Sequence, residues 1–244
     1  MRLFVRRAMA ISQVVADQLS ALAKPARLNV AVVTPTYARG HFDEVSPPDP
    51  GKRPFRVLFN GRTEANKGVF DLVIVAAQLH SERPGEFLFD ICGEGTELPR
   101  LVERVEELGL QDVMRVHGFC DTERLTQLLG ESHVVVVPTR SDFEEGLAKS
   151  CVEAVLAGRP FVTSPVCPAL LSLGAAGVET LPDDPQSYRE ALVSLADDPK
   201  LYESKAAACA PLQAQFYDTS RSYKETLRRQ LAGAMVPADT IATP

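Results

Sequence analysis

The sequence lacks the marks of several protein classes. It has no run of five or more basic residues, and its formal net charge is -6 over 244 residues. A protein that grips nucleic acid by neutralising phosphates needs the opposite balance, so nucleic acid is not an expected partner. No apolar run approaches the roughly 18 residues that span a bilayer. The opening Met1-Arg2-Leu3-Phe4-Val5-Arg6-Arg7 is basic, but no clean apolar core follows it, so it does not read as a signal peptide. The five cysteines (Cys92, Cys120, Cys151, Cys167, Cys209) are odd in number, and no two are spaced as a metal or redox pair. They read as small buried thiols in a reducing, cytoplasmic setting. Two glycine signatures of nucleotide binding are missing as well. Gly93-Glu94-Gly95 follows an apolar run, but Leu98 stands where a dinucleotide fingerprint needs its third glycine. No phosphate loop ending in Gly-Lys-Ser/Thr occurs.

What is present is ordinary globular material, 45% apolar and 24% charged, long enough for one or two domains. Ile11, Val14, Val15, Leu19 and Leu22 recur at helical steps, and Leu28 to Val33 reads as a short buried strand. Residues 34–54 hold five prolines and read as a linker. From Phe55 the pattern is regular. Strands are expected at 55–60, 87–92, 113–116, 133–137, 160–163 and 178–181. Helices are expected at 69–79, 97–108, 121–129 and 145–157, with two or three more from Pro185 to about Leu231. The tail from Ala232 to Pro244 reads as flexible. Runs such as His133-Val134-Val135-Val136-Val137 are apolar throughout, so both faces of the sheet are expected to be buried. The fold class is therefore α/β, a Rossmann-like parallel sheet with helices on both faces. The expected divisions are 1–54, 55–200 and 201–244.

Ligands of such sheets bind beyond the carboxyl ends of the strands. The first loop there, Gly61-Arg62-Thr63-Glu64-Ala65-Asn66-Lys67-Gly68, carries two cations between glycines. Arg62 offers a fork of donors and Lys67 a point charge, a pair suited to a diphosphate, although a turn with solvated charges fits equally well. Gly118-Phe119-Cys120-Asp121 could lay an aromatic against a base, or end a strand and cap a helix through Asp121. In the loop after Val137, seven residues separate Glu145 from Glu153. In a helix those eight steps span about 12 Å and leave the two about 80° apart, which suits the two ends of one long ligand. The amides of Gly146 and Leu147 would then open a helix start that favours anions. The plainer alternative is a capping box from Asp142 to Glu145. Glu153 lies among Val152, Ala154 and Val155, and a carboxylate in a buried helix needs a partner.

Six motifs in order resemble one family. They are Gly61-Arg62 with Lys67-Gly68, Gly93-Glu94-Gly95, Val116-His117-Gly118-Phe119, Val137-Pro138-Thr139, Glu145-Gly146-Leu147 through Glu153-Ala154, and Ala157-Gly158-Arg159-Pro160-Phe161-Val162. Together they resemble the donor-binding C-terminal domain of a retaining GT-B glycosyltransferase of group 1, the family-four type. The resemblance implies that Arg62 and Lys67 neutralise the diphosphate of a nucleotide-sugar donor and its departing leaving group. It implies that Glu145 contacts the transferred sugar, that Glu153 holds the ribose hydroxyls and that the backbone near Phe119 faces the base. No cofactor or metal is expected, since side-chain cations and helix amides carry the leaving-group charge. The acceptor is not indicated.

The sequence departs from the family pattern in three places. Ala148 stands where the family usually has Gly or Pro, and Pro165-Val166-Cys167-Pro168-Ala169 replaces a common Gly-Gly and Glu. Only about 54 residues precede Phe55, and they resemble the last helix and strand of an acceptor domain. The alternative is therefore a nucleotide-sugar-binding module that is inactive without a separate N-terminal part. Any peripheral membrane contact would run through that part. A dehydrogenase-like or response-regulator-like module is disfavoured by the missing glycine fingerprint and by the lack of clustered aspartates after the first strand.

Overall fold

A computed structural model describes residues 6–25, 27–43, 45–46 and 49–232. The chain forms two compact units, one of residues 39–213 and one of the residues before and after them. In the latter, β1 (Arg7–Ala10) and β2 (Asn29–Val32) pair in parallel around α1 (Gln13–Leu22). Ser12 caps α1 by accepting the Val15 N–H at 3.3 Å. Strand β1 is not evident in the sequence: it has four residues, and only Ala10 is buried. The expected tail falls, from residue 233 onward, outside the described residues.

The larger unit holds one sheet of six strands in the order β5-β4-β3-β6-β7-β8, with every pairing parallel. The strands are β3 (Phe55–Asn60), β4 (Phe87–Cys92), β5 (Met114–Gly118), β6 (Val134–Val137), β7 (Phe161–Thr163) and β8 (Gly177–Glu179). Phe55, Val57 and Phe59 face a core built with α2 (Val69–Glu82), α3 (Leu98–Glu107) and α7 (Pro185–Asp197). Alternate residues such as Leu58, Val135 and Phe161 point the other way. They too are fully buried, on the side of α4 (Thr122–Glu131) and α5 (Lys149–Leu156). The region from Pro185 to Leu231 contains four helices rather than two or three: α7, α8 (Pro199–Ala207), α9 (Cys209–Tyr217) and α10 (Tyr223–Ala232). Asp184 and Asp198 separate the first of these by capping α7 and α8, each with a proline in the first turn. A short α6 (Ala169–Leu173) starts at the last residue of the segment that departs from the family pattern.

Polar groups also stitch the sheet together. Asp90 is buried in the middle of β4. It accepts from Arg56 of β3 at 2.7 Å and lies 2.7 Å from Nε2 of His117 on β5. Arg56 also reaches Glu131 at the end of α4. A buried carboxylate is tolerable only when it is paired in this way. Arg159, also fully buried, donates to the carbonyls of Gly130, Ser132 and Ala157, and so satisfies the C-terminal ends of α4 and α5.

His133 is fixed as a neutral ring. Its Nδ1 accepts the Arg56 N–H at 2.9 Å, its Nε2 donates to the Asp49 carbonyl at 3.0 Å, and it stacks on Phe55. Burial lowers its pKa to about 4, with Arg53, Arg159 and Lys52 adding to the effect. The unfolded chain takes up this proton near pH 6.5, whereas the folded chain does so only near 4. Its contribution to stability is therefore complete above about pH 6.5 and is lost as pH falls toward 4, on the order of 3 kcal/mol in all. Denaturant melts of the wild type and His133→Gln across this window should show a slope that the variant flattens.

Candidate nucleotide-sugar site

The sheet order changes direction at β3, which lies between β4 and β6. Loops that leave β3 and β6 on the same edge therefore part to either side and open a crevice. Here the backbone itself sets the spacing. Gly68 has φ +74°, and a Cβ on it would lie 2.1 Å from the Pro138 carbonyl oxygen. Gly93 meets the Gly61 carbonyl and Gly95 the Thr63 carbonyl in the same way. Thr63 N–H donates to Glu94 at 2.8 Å, and Gly93 N–H donates to Gly118 at 2.7 Å, so the loops after β3, β4 and β5 are laced into one rim.

The rim carries the residues singled out from sequence. The Lys67 ammonium pairs with the Glu145 carboxylate, each side chain 13% exposed, and Thr139 Oγ1 donates to Glu145 at 3.3 Å. Lys67 Nζ also sits 3.9 Å from the centre of the Phe143 ring, and the Arg62 guanidinium carbon 5.7 Å from it. Glu153, on α5, accepts from Asn60 Nδ2 at 2.7 Å, and this is a partner for its half-buried carboxylate. Ser150 Oγ, one turn earlier, donates to the Asn60 carbonyl at 2.5 Å. The Oδ1 atoms of Asn60 and Asn66 are buried with no hydrogen-bond partner among the described residues. Phe119 follows β5 on the same edge of the sheet and is 71% exposed.

Three expectations need correction. Helix α5 begins at Lys149, so Glu145, Gly146 and Leu147 lie in irregular chain, and the 12 Å helical spacing between the glutamates does not apply. The capping box from Asp142 to Glu145 does not form either, because Glu145 is occupied by Lys67 and Thr139 and the residue before α5 is Ala148. Leu147 is buried, and its carbonyl accepts from the Cys167 thiol, so its side chain packs inward two residues before the helix starts. The third concerns the cysteines. Cys92, at the end of β4, and Cys120, after β5, form a disulfide with Cα atoms 5.9 Å apart, while Cys151, Cys167 and Cys209 are free and buried. The pair lies 28 residues apart in sequence, too far for local spacing to reveal it.

Sequence reasoning also missed the struts of the β6–α5 loop. Arg140 binds both oxygens of Asp71, at 2.9 and 2.8 Å, and its N–H donates to the Asn66 carbonyl. Ser141 donates to Asp183 through its amide at 3.0 Å and through its hydroxyl. Burial raises the Asp71 pKa, opposed by the Arg140 charge.

A parallel sheet with this strand order and helices on both faces is a Rossmann-like fold and matches one half of a GT-B protein. The family model of glycosyl transferases group 1 matches residues 43–208, and the chain belongs to that family. It is 32% identical over 166 residues to an alpha-D-kanosaminyltransferase of Streptomyces kanamyceticus, covering 67% of this chain and 42% of that protein. It is 29% identical over 199 residues to a glycogen synthase of Mycobacterium tuberculosis, covering 79% and 46%. The chain thus spans less than half the length of these curated relatives. Among solved structures, Anabaena Alr3699/HepE in complex with UDP and glucose superposes with a TM-score of 0.74 at 22% identity, covering 96% of this chain and 64% of that one. Sucrose-phosphate synthase from Thermosynechococcus elongatus superposes at 0.75 and 19% identity, covering 93% and 59%. These two likenesses concern the fold. No helix among the described residues is long and apolar enough to cross a membrane.

Ala148 has φ 58° and ψ 88°, a backbone shape that L-residues with a Cβ avoid. Relief of that strain, about 1 to 2 kcal/mol, outweighs the extra freedom of glycine in the unfolded chain. Ala148→Gly should therefore raise Tm by about 2 °C, and an unchanged or lower Tm in calorimetry would refute the strain.

Proposed function

We propose that this chain is the donor-binding part of a retaining glycosyltransferase that takes a sugar from a nucleoside-diphosphate sugar. The supporting observation is the meeting of Arg62, Lys67, Glu145 and Glu153 where the sheet changes direction. Lys67 and Arg62 neutralise the diphosphate, both in the bound donor and as it departs. That charge stabilisation is strongest in a crevice shielded from water, and it allows side-chain cations to stand in place of a metal ion. Glu145, already against Lys67, contacts the transferred sugar. Glu153, held by Asn60, takes the ribose hydroxyls, and Phe119 lies beside the base. UDP is the probe of choice because it occupies the HepE structure. Transfer to an acceptor belongs to the whole protein, and the acceptor is left open.

In this reading Lys67 exchanges one anion for another. Glu145 balances it in the structure, and the diphosphate competes for the same ammonium. Titration calorimetry with UDP should show binding by the wild type. Arg62→Ala, Lys67→Ala and Glu153→Ala should each weaken it about 10- to 100-fold, the loss expected for a hydrogen bond to a charged group. Glu145→Gln should leave UDP binding no weaker, yet lower affinity for a UDP-sugar. Equal affinity of all four variants for UDP would dispose of the proposal.

A further inference from the structure

We infer that Phe143 is a positioning residue of this site: its ring face holds Lys67 and Arg62 together as a cation pair aimed at a diphosphate. The ligand in this statement rests on the donor-site reading above, while the arrangement of ring and cations stands without it.

Two cations on one loop repel each other, and Glu145 neutralises only one of them. The Phe143 ring lies 3.9 Å from the Lys67 nitrogen and 5.7 Å from the Arg62 guanidinium carbon. Both fall within the range where the negative face of an aromatic ring attracts a cation. Phe143 takes no part in the main apolar cluster of the unit, and its ring is only half-buried. Apolar packing therefore does not account for its place.

The loop is instead anchored by polar struts on both sides of the ring's backbone. Phe143 N–H donates to the Arg140 carbonyl at 3.1 Å, Arg140 is clamped by Asp71, and Ser141 by Asp183. Arg140 N–H donates to the carbonyl of Asn66, the neighbour of Lys67. The ring and the cation it covers are thereby fixed to the same stretch of backbone.

An aromatic ring differs from a carboxylate in one useful respect. It attracts cations without accepting their N–H groups as a carboxylate does. The Arg62 fork and any Lys67 donor not taken by Glu145 stay available to phosphate oxygens. A second acidic side chain at position 143 would compete with the ligand.

The test uses the whole chain, inorganic pyrophosphate and UDP as probes, and the variants Phe143→Leu and Phe143→Tyr. With ¹³C-labelled lysine, the Lys67 ε-methylene signal, assigned through Lys67→Arg, should be shifted upfield by the ring in the wild type and in Phe143→Tyr. It should return to an ordinary position in Phe143→Leu. The Kd for pyrophosphate should rise about five- to tenfold in Phe143→Leu and stay within about twofold in Phe143→Tyr. If Phe143→Leu melts early, Phe143→Met replaces it. An unshifted Lys67 signal in the wild type, or pyrophosphate affinity indifferent to loss of the ring, would overturn the inference. So would failure of the wild type to bind pyrophosphate. A wild type that binds pyrophosphate through Phe143 but binds UDP no more tightly would leave Phe143 in its role and remove the donor reading instead.

Discussion

At Gly68 there is no room for a side chain. A Cβ there would lie 2.1 Å from a carbonyl oxygen of the loop after β6. The rest of the site depends on this contact, because it brings the loops after β3 and β6 together at the point where the sheet order reverses. Gly93 and Gly95 do the same for the loops after β3 and β4. These glycines let one backbone approach another, and the crevice is the outcome of that packing. A methyl group at any of the three would force the loops apart and separate Lys67 from Glu145 without touching either.

Given that approach, charge decides the local arrangement. Two cations on the β3 loop face one carboxylate and one aromatic ring from the β6 loop. Apolar burial in the β6 loop is confined to its two ends, at Pro138 and Leu147. The loop is held by Arg140 on Asp71 and by Ser141 on Asp183, contacts that lie beside the site and leave its donors unused. The Cys92–Cys120 disulfide joins the next two loops along the same edge. Every loop of the rim is thus tied to a neighbour by backbone, ion pair or covalent bond.

How much of this was legible in the sequence follows from the range of each interaction. Strands β3 and β4 have the bounds read from their apolar runs, because a strand buried on both faces shows itself in consecutive residues. The cations and Glu145 drew attention because loops after parallel strands are few, whereas Glu153 stood out as a carboxylate among apolar residues of a helix. Phe143, Arg140 and Asp71 carried no signal, since Arg140 and Asp71 are 69 residues apart and nothing local links them. Arg56, Asp90 and His117 meet only once three strands align, and the motif that contains His117 gave no sign of that contact. The start of α5 was misread because Glu145 to Leu156 has helical composition. The break comes from the backbone at Ala148 and from Leu147 turning into the core, and neither is visible as a pattern.

That break changes what the spacing of Glu145 and Glu153 means. Were both on one helix, their separation would be a fixed property of helix geometry. In the structure Glu153 is placed by α5 packing and leans on Asn60, the last residue of β3. Glu145 is placed by an irregular loop and leans on Lys67, at the far end of the β3 loop. The two carboxylates therefore address opposite ends of one continuous segment, 60–67, from separate supports. A substitution that moves the β6 loop shifts Glu145 alone, whereas one that shifts α5 moves Glu153 and leaves the Arg140 struts intact. The fixed helical spacing thus gives way to two separately supported carboxylates, each with its own partner along the β3 loop.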